Sequence, residues 1–319
     1  MRAVVTGGAG FIGSAVVDAL CGTGVQVLIV DDLSRGSLAN LENARRAGAQ
    51  LAELDIRDGA ALTEELRRFR PDWVFHLAAQ VLVQVSMVEP VLDASVNIVG
   101  SLNVFTAAAA AGARRVVSTS TGGAIYGETD VLPTPETTDA VPVSAYGLSK
   151  LSAERYAAWF RGARGLDIVT LRYGNVYGPR QDPYGDAGVI AAFCDAALHG
   201  RSPVIFGDGR QTRDFVFVSD VVAANIAAAQ APRLEYDTYN VGTGREVSVT
   251  ELVDAVAFAA DLSPAEFRPR YRPARAGELR RSCLDVRRAR QDLGVAASVE
   301  LTTGLRHTVD WLRGVVRAA

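Results

Sequence analysis

Residues 3–14 read Ala3-Val4-Val5-Thr6-Gly7-Gly8-Ala9-Gly10-Phe11-Ile12-Gly13-Ser14, a β-branched run, a cluster of glycines and the start of an apolar pattern that continues through Val16, Val17 and Leu20. The order is strand, glycine turn, helix. Gly7, Gly10 and Gly13 permit a tight turn and a close backbone approach to a pyrophosphate, whose charge would be met by free N–H groups at the helix N-terminus. Isolated glycine fingerprints are often accidental, but here both flanking elements are of the kind the motif requires.

Outward from this turn the pattern repeats. A second strand over 25–30 ends in Asp31-Asp32, where an acid would accept hydrogen bonds from a ribose diol and repel a 2′-phosphate, which favours NAD over NADP. A third strand over 50–54 runs into Asp55-Ile56-Arg57-Asp58; an adenine contact fits there, and Asp58 would equally serve as a helix cap. Trp73-Val74-Phe75-His76-Leu77-Ala78-Ala79 reads as a buried strand ending in small residues that leave room for a ligand, with His76 a satisfied core histidine. A helix over 91–111 and a strand over 115–119 follow. Apolar strands alternating with helices predict an α/β fold: a Rossmann-type, doubly wound parallel sheet covered on both faces.

Two stretches carry chemistry. Ser118-Thr119-Ser120-Thr121-Gly122-Gly123-Ala124-Ile125-Tyr126-Gly127 is rich in hydroxyls at the carboxyl end of a strand, where ligands bind in such sheets. Ser144-Ala145-Tyr146-Gly147-Leu148-Ser149-Lys150 begins a helix with Ser144 as its N-cap. Tyr146 and Lys150, four residues apart, share a helix face, and a lysine cation there would lower a phenol pKa of about 10 towards a range useful for general-base work. After a strand over 166–172 the alternation stops, and glycines and prolines become frequent from Tyr173-Gly174-Asn175 onward, as expected of a smaller ligand-capping unit. The expected division is residues 1–172 plus about 215–241 for cofactor binding, and 173–214 plus 242–319 as a smaller C-terminal substrate-binding domain.

Composition narrows the class. With 319 residues, a net charge of −3 and a pI near 5.7, the chain has no global basic footprint, and nucleic acid is not expected as a partner. Cys21, Cys194 and Cys283 are few, odd in number and far apart, which fits a reduced compartment and suggests no metal site. Met1 runs straight into a strand, and no apolar run was long enough to suggest a span of about 18 residues; the expectation is a soluble, cytoplasmic protein without a signal peptide or membrane contact.

Taken as an ordered set, Thr6-Gly7-Gly8-Ala9-Gly10-Phe11-Ile12-Gly13, Asp31-Asp32-Leu33-Ser34-Arg35-Gly36, Asp55-Ile56-Arg57-Asp58, His76-Leu77-Ala78-Ala79, Tyr146-Gly147-Leu148-Ser149-Lys150, Leu171-Arg172-Tyr173-Gly174-Asn175-Val176-Tyr177-Gly178-Pro179 and Arg213-Asp214-Phe215 resemble the extended short-chain dehydrogenase/reductase superfamily. Within it the chain is most similar to nucleotide-sugar 4-epimerases of the UDP-glucose/UDP-galactose type. The resemblance implies Tyr146 as acid/base and Lys150 as its partner, holding the nicotinamide ribose. The hydroxyl partner is Thr121 when counted from the strand, with Ser120 in reserve; counting back from Tyr126-Gly127 would give Gly122, which has no hydroxyl. The resemblance further implies that Gly7, Gly10, Phe11, Ile12, Gly13, Asp31, Asp32, Asp55, Ile56, Leu77, Ala78, Ala79, Asn97 and Tyr173 surround bound NAD, and that Asn175, Arg213, Arg275, Glu278 and Ser282 line the sugar nucleotide. No acid pair follows Thr121, as a 4,6-dehydratase would need, and the Glu expected of a decarboxylase is absent as well. What remains is 4-epimerisation through a 4-keto sugar, with another NAD-dependent nucleotide-sugar enzyme (a UDP-glucuronate 4-epimerase, 4-ketoreductase, decarboxylase or dehydratase) or a non-catalytic NAD-sensing protein as alternatives. Ser282, a small residue seven positions after Arg275, implies tolerance of N-acetylated sugars, and relatives imply a homodimer built on helices near 91–111 and 146–162.

Overall fold

The computed structural model describes residues 1–183, 188–275 and 278–318, which include every residue given a role above. Seven strands form one parallel sheet: β1 (Arg2–Thr6), β2 (Gln26–Asp31), β3 (Gln50–Glu53), β4 (Trp73–His76), β5 (Arg115–Thr121), β6 (Ile168–Tyr173) and β7 (Thr238–Val241). Their order is β7-β6-β5-β4-β1-β2-β3, so the chain starts in the interior, winds out to β3, then returns to lay β4 against the other side of β1. The reversal beside β1 opens a crevice at the carboxyl ends of the strands, the usual ligand position in such sheets.

The strands read as continuous apolar runs because both faces are covered. Ala3, Val5, Phe75, Val117, Val169 and Leu171 face a core beneath the helices Phe11–Gly22 and Val218–Gln230. The alternate residues Val4, Val30, Val74, Val116 and Ile168 face a second core against Gly59–Phe69, the helical stretch Pro90–Ala110 and Ala145–Arg164. A third core gathers Tyr177, Phe193, Ile205, Phe217, Leu252 and Leu305 under the helices Val189–Leu198, Val249–Ala259 and Leu301–Ala318. Three short strand pairs stiffen this unit: Asn175–Tyr177 with Phe215–Phe217, Val204–Phe206 with Arg270–Arg272, and Thr212–Arg213 with Val247–Ser248.

Several details differ from the expectation. Strand β5 runs two residues further, so Ser120 and Thr121 end the strand rather than begin a loop. Phe215 and Phe217 pack in the third core, whereas Ala289, with Leu293, Val295 and Ala297 beside it, packs on the sheet. Pro90–Ala110 forms an unbroken helical stretch of 21 residues, 18 of which in a row have a mean hydropathy of 1.3, long and apolar enough by composition to span a bilayer, contrary to the expectation from sequence. Its apolar character has a different cause: one side is buried against the sheet domain through Val104, Phe105, Ala107 and Ala108, and the same helix buries the polar Asp93, Asn97 and Ser101.

Candidate active site

The glycine turn leaves no space for side chains. Gly7 adopts φ +68 and donates its N–H to Val30 O at 2.8 Å; a Cβ there would stand 2.6 Å from the Ala78 nitrogen, and one on Gly13 would stand 2.0 Å from Gly7 O. Gly10 is the N-cap of the first helix and brings no side-chain acceptor, so first-turn amides remain available to an anion. Asp31 is buried at the end of β2, its Oδ2 accepting from Ala9 N and its Oδ1 from Leu33 N, both at 2.9 Å. Burial pushes its carboxyl pKa up, and these two amides oppose the shift. Asp31 thus ties the glycine loop to β2, and each oxygen keeps a lone pair for a diol. This uncapped, glycine-walled helix start facing a buried carboxylate fits a dinucleotide.

The other residues expected around the cofactor divide into two groups. Phe11, Ile12, Leu77, Ala78 and Ala79 are half-buried around the glycine turn and the end of β4, with Ala78 N held on Thr6 Oγ1 at 3.3 Å. Asp32 accepts from Ser34, and Asp55 pairs with Arg57 at 2.5 Å near the surface, which holds its carboxyl below the usual range. Ile56 departs from the expectation: its side chain packs into the core beside Gly100, so only its backbone could meet an adenine. Tyr173 departs as well, because strand alternation turns it inward, where Asn225 Nδ2 donates to its hydroxyl at 2.6 Å and Thr119 lies at 3.3 Å. Burial pushes this phenol up to about 12. Asn97 is buried and holds the loop after β4, accepting from Gln80 N at 3.0 Å and donating to Gln80 O at 2.9 Å.

Tyr146 and Lys150 lie on the first two turns of Ala145–Arg164. Two serine hydroxyls anchor the start of this helix: Ser144 Oγ accepts from Gly147 N at 3.1 Å, and Ser86 Oγ, reaching over from the helix Val83–Val88, accepts from Tyr146 N at 3.0 Å. Thr121, the last residue of β5, lies near enough to the Tyr146 phenol to draw its pKa down. Gly122 instead packs beneath Leu284, where a Cβ would lie 2.5 Å from Leu284 Cδ1, and Ser120 Oγ is buried with no hydrogen-bond partner among the described residues.

The electrostatics run against the sequence expectation. In the protein alone the Tyr146 phenol is pushed up to about 12 by burial and by the charge of Asp93, while Thr121 pulls it down. Lys150 is lowered to about 8 by burial, against the pull of Glu154 and Asp93. The lysine therefore does not depress the phenol by itself: Lys150 is buried and Tyr146 partly so, and this burial disfavours the charged form of each. His76 is held neutral, its pKa down to about 3 through burial and the Lys150 charge, between Thr6 Oγ1 at 2.8 Å and Ser101 Oγ at 2.9 Å.

On the substrate side, Asn175 presents a buried Oδ1 with no hydrogen-bond partner among the described residues, close to Gly123. Arg213 is largely buried and pairs with Glu278 at 3.2 Å, and burial lowers its pKa. Arg275 stacks its guanidinium 4.0 Å from the Phe206 ring centre, and Ser282 is buried. Asp214, fully buried, gathers the amides of Thr243, Gly244 and Leu284 and so fixes the backbone behind these residues.

Sequence reading missed Asp93, Ser86, Gln80, Glu154 and Arg172. Glu154 stands four residues after Lys150 and pairs with Arg172 at 2.6 Å, a spacing that could have exposed it. The others reach the site from distant segments and leave no local pattern. Among the described residues no group of His, Cys, Asp and Glu is arranged to hold a metal ion. A groove lined by Arg115, Arg161, Asp167, Arg233 and Tyr236 lies at the opposite, amino-terminal edge of the sheet, and its Arg115 and Arg161 are paired with Asp167 and Asp237.

A Rossmann sheet, a glycine-walled helix start and a Tyr-Lys pair beside a threonine define the class, and the chain belongs to the NAD dependent epimerase/dehydratase family, whose model matches residues 3–242. Over 98% of its length the chain is 46% identical to the UDP-glucose 4-epimerase of Mycolicibacterium smegmatis, covering 99% of that protein. The UDP-glucose 4-epimerase of Thermotoga maritima, solved with UDP-glucose, superposes with a TM-score of 0.94 at 43% identity over 99% of this chain and all of that one. The Thermus thermophilus UDP-glucose 4-epimerase, solved with NAD, gives a TM-score of 0.91 at 40% identity, covering 98% of this chain and 99% of that one.

Proposed function

We propose that this protein interconverts UDP-glucose and UDP-galactose by NAD-dependent epimerisation at C4 through a transient 4-keto sugar. The observation that carries the reading is Tyr146 and buried Lys150 on the first turns of one helix, with Thr121 at the end of β5 near the phenol, at the same carboxyl-terminal sheet edge as the glycine turn. NAD, when bound, supplies the hydride acceptor and donor at C4 and a cationic ring whose field favours a phenolate. Gly7, Gly10, Phe11, Ile12, Gly13 and Asp31 would hold it, with Ala78 and Ala79 against its other side. Tyr146 would take the 4-hydroxyl proton as C4 is oxidised to the ketone and return it to the same oxygen once the turned 4-keto sugar is reduced at C4 on its other face, and Thr121 orients the phenol. Lys150 contributes the positive charge that such a proton transfer needs in a dry site. Asn175, Arg213 and Arg275 bind the nucleotide sugar, the arginines through the planar forks suited to a diphosphate. Glu278 keeps Arg213 in position.

Three narrower statements belong to the same reading. The small Ser282 leaves room for an N-acetyl group at C2. A homodimer forms through the exposed apolar side chains Val88, Val91, Leu148, Tyr156 and Trp159 on neighbouring helices. The protein works in the cytoplasm.

The test is incubation with UDP-glucose, without added reductant, and detection of UDP-galactose. Stoichiometric consumption of added NADH would indicate a reductase instead. Inactivity over a panel of nucleotide sugars, with NAD bound, would leave only a binding role.

A further inference from the structure

The backbone amide of Tyr146 is capped from outside its own segment. In Ala145–Arg164 the N-cap Ser144 accepts from Gly147 N at 3.1 Å, which leaves the Tyr146 N–H, one of the orphan donors of the first turn, without an acceptor from the adjoining chain. Ser86, 60 residues earlier, supplies one: its Oγ accepts from Tyr146 N at 3.0 Å. This hydroxyl belongs to a residue with no exposed surface and donates its own proton to Val83 O at 2.7 Å, so towards Tyr146 it can only accept. Ser86 N in turn donates to Leu82 O at 3.0 Å, and Gln80 brackets Leu82, accepting from its N–H and donating to its carbonyl at 3.1 Å. The serine is therefore bonded into the segment that leaves β4 through Leu77, Ala78 and Ala79. A second constraint falls on Gly147, where a Cβ would stand 2.6 Å from Ala124 O and 2.8 Å from Pro142 Cβ. The backbone before and after the Tyr146 side chain is thus held by two different segments, one leaving β4 and one leaving β5.

Building on the assignment of Tyr146 as the proton-handling group, we propose that Ser86 is a positioning residue: by capping the Tyr146 amide from the segment that leaves β4, it sets the place of the phenol for proton transfer. Its hydroxyl is spent on Val83 and Tyr146, and it acts only through the tyrosine. Without it the first turn loses the bond that ties Tyr146 to the β4 segment, while Ser144 still holds Gly147 and Lys150 still lies a turn further into the helix. The loss falls on the geometry of the proton transfer and leaves the binding of cofactor and substrate in place.

Ser86→Ala should lower kcat for UDP-glucose epimerisation by about tenfold, what one hydrogen bond is worth, with KM and the bound NAD content unchanged. An unchanged kcat overturns the proposal, and so does a matching loss of NAD or rise in KM, which would mark a general loosening of the crevice. The double variant is the sharper test. A residue that acts through the phenol has nothing to act on once the hydroxyl is gone, so adding Ser86→Ala to Tyr146→Phe should leave the residual turnover within about twofold. A second tenfold fall there would show that Ser86 works independently of Tyr146. Residue-resolved amide exchange needs neither activity nor a variant: in the wild-type protein the Tyr146 N–H should exchange as slowly as the Gly147 N–H, and free exchange at Tyr146 alone removes the cap and the proposal with it. If the wild-type protein epimerises nothing, the catalytic assignment fails and the positioning role fails with it; slow exchange at Tyr146 would then mark Ser86 as a structural cap only.

Discussion

The phenol of Tyr146 is the point where burial, hydrogen bonding and charge meet. Its pKa of about 12 in the protein alone means that the proton stays on until positive charge enters the site, so removing the hydroxyl removes the relay and little else. Tyr146→Phe is expected to fold and retain NAD while losing about 10²- to 10⁴-fold in turnover, measured by steady-state epimerisation alongside the bound-cofactor content. Full activity in that variant would remove Tyr146 from the mechanism. Ser282 makes a different prediction, since it is buried where a larger ring would have to displace its neighbours. Ser282→Tyr should lower turnover of the N-acetylhexosamine nucleotide by about tenfold relative to the plain hexose, and an unchanged ratio would place the C2 group elsewhere. The Tyr146 and Lys150 spacing was legible as four positions on one helix. Whether the lysine would lower the phenol was not, because that depends on how dry the site is and on Asp93.

Among the elements, the first strand-turn-helix unit is the most constrained. Gly13 approaches Gly7 O so closely that a methyl group must push the helix away from the turn. Gly13→Ala should therefore copurify with much less NAD and show a lower unfolding midpoint, and normal cofactor content would mean that the turn yields without cost. The glycine spacing and the β-branched flanks made this unit readable from a short window. Pro90–Ala110 is the counter-example. Its composition alone suits a bilayer core, but its Val104–Ala108 side packs on the sheet and its first turns carry Asp93 and Asn97 to the active site. A hydropathy average cannot distinguish a helix buried in protein from one that faces lipid.

At the scale of the whole molecule, two properties follow. Val88 and Val91 are each 81% exposed, and Trp159 stands 51% exposed on the helix Ala145–Arg164, so large apolar side chains are left open on helices that pack together. Val91→Glu should convert a dimeric mass in light scattering to a monomeric one; a wild-type monomer at micromolar concentration would remove the homodimer. Acid lability follows from His76, which holds its neutral form in the fold down to about pH 3 while an unfolded chain takes up the proton near 6.5. Stability from this group is complete above the unfolded value and is lost as the pH falls below it. Urea unfolding should lose about 1 kcal/mol between about pH 7 and about pH 5.5, and an unchanged value would show that His76 is not held neutral.

By itself the sequence determined the sheet, the cofactor turn, the acid after β2 and the Tyr-Lys pair, because each is set by backbone periodicity or by spacing within one or two turns. Only the tertiary structure decided that Gly122 packs beneath Leu284 while Thr121 ends the strand, that Tyr173 faces the core, and that Ser86 anchors the start of the helix at Tyr146. Those contacts join strand ends and helices far apart in the chain. Their geometry follows from how two cores pack against one sheet, and burial then sets the charge of every group they enclose.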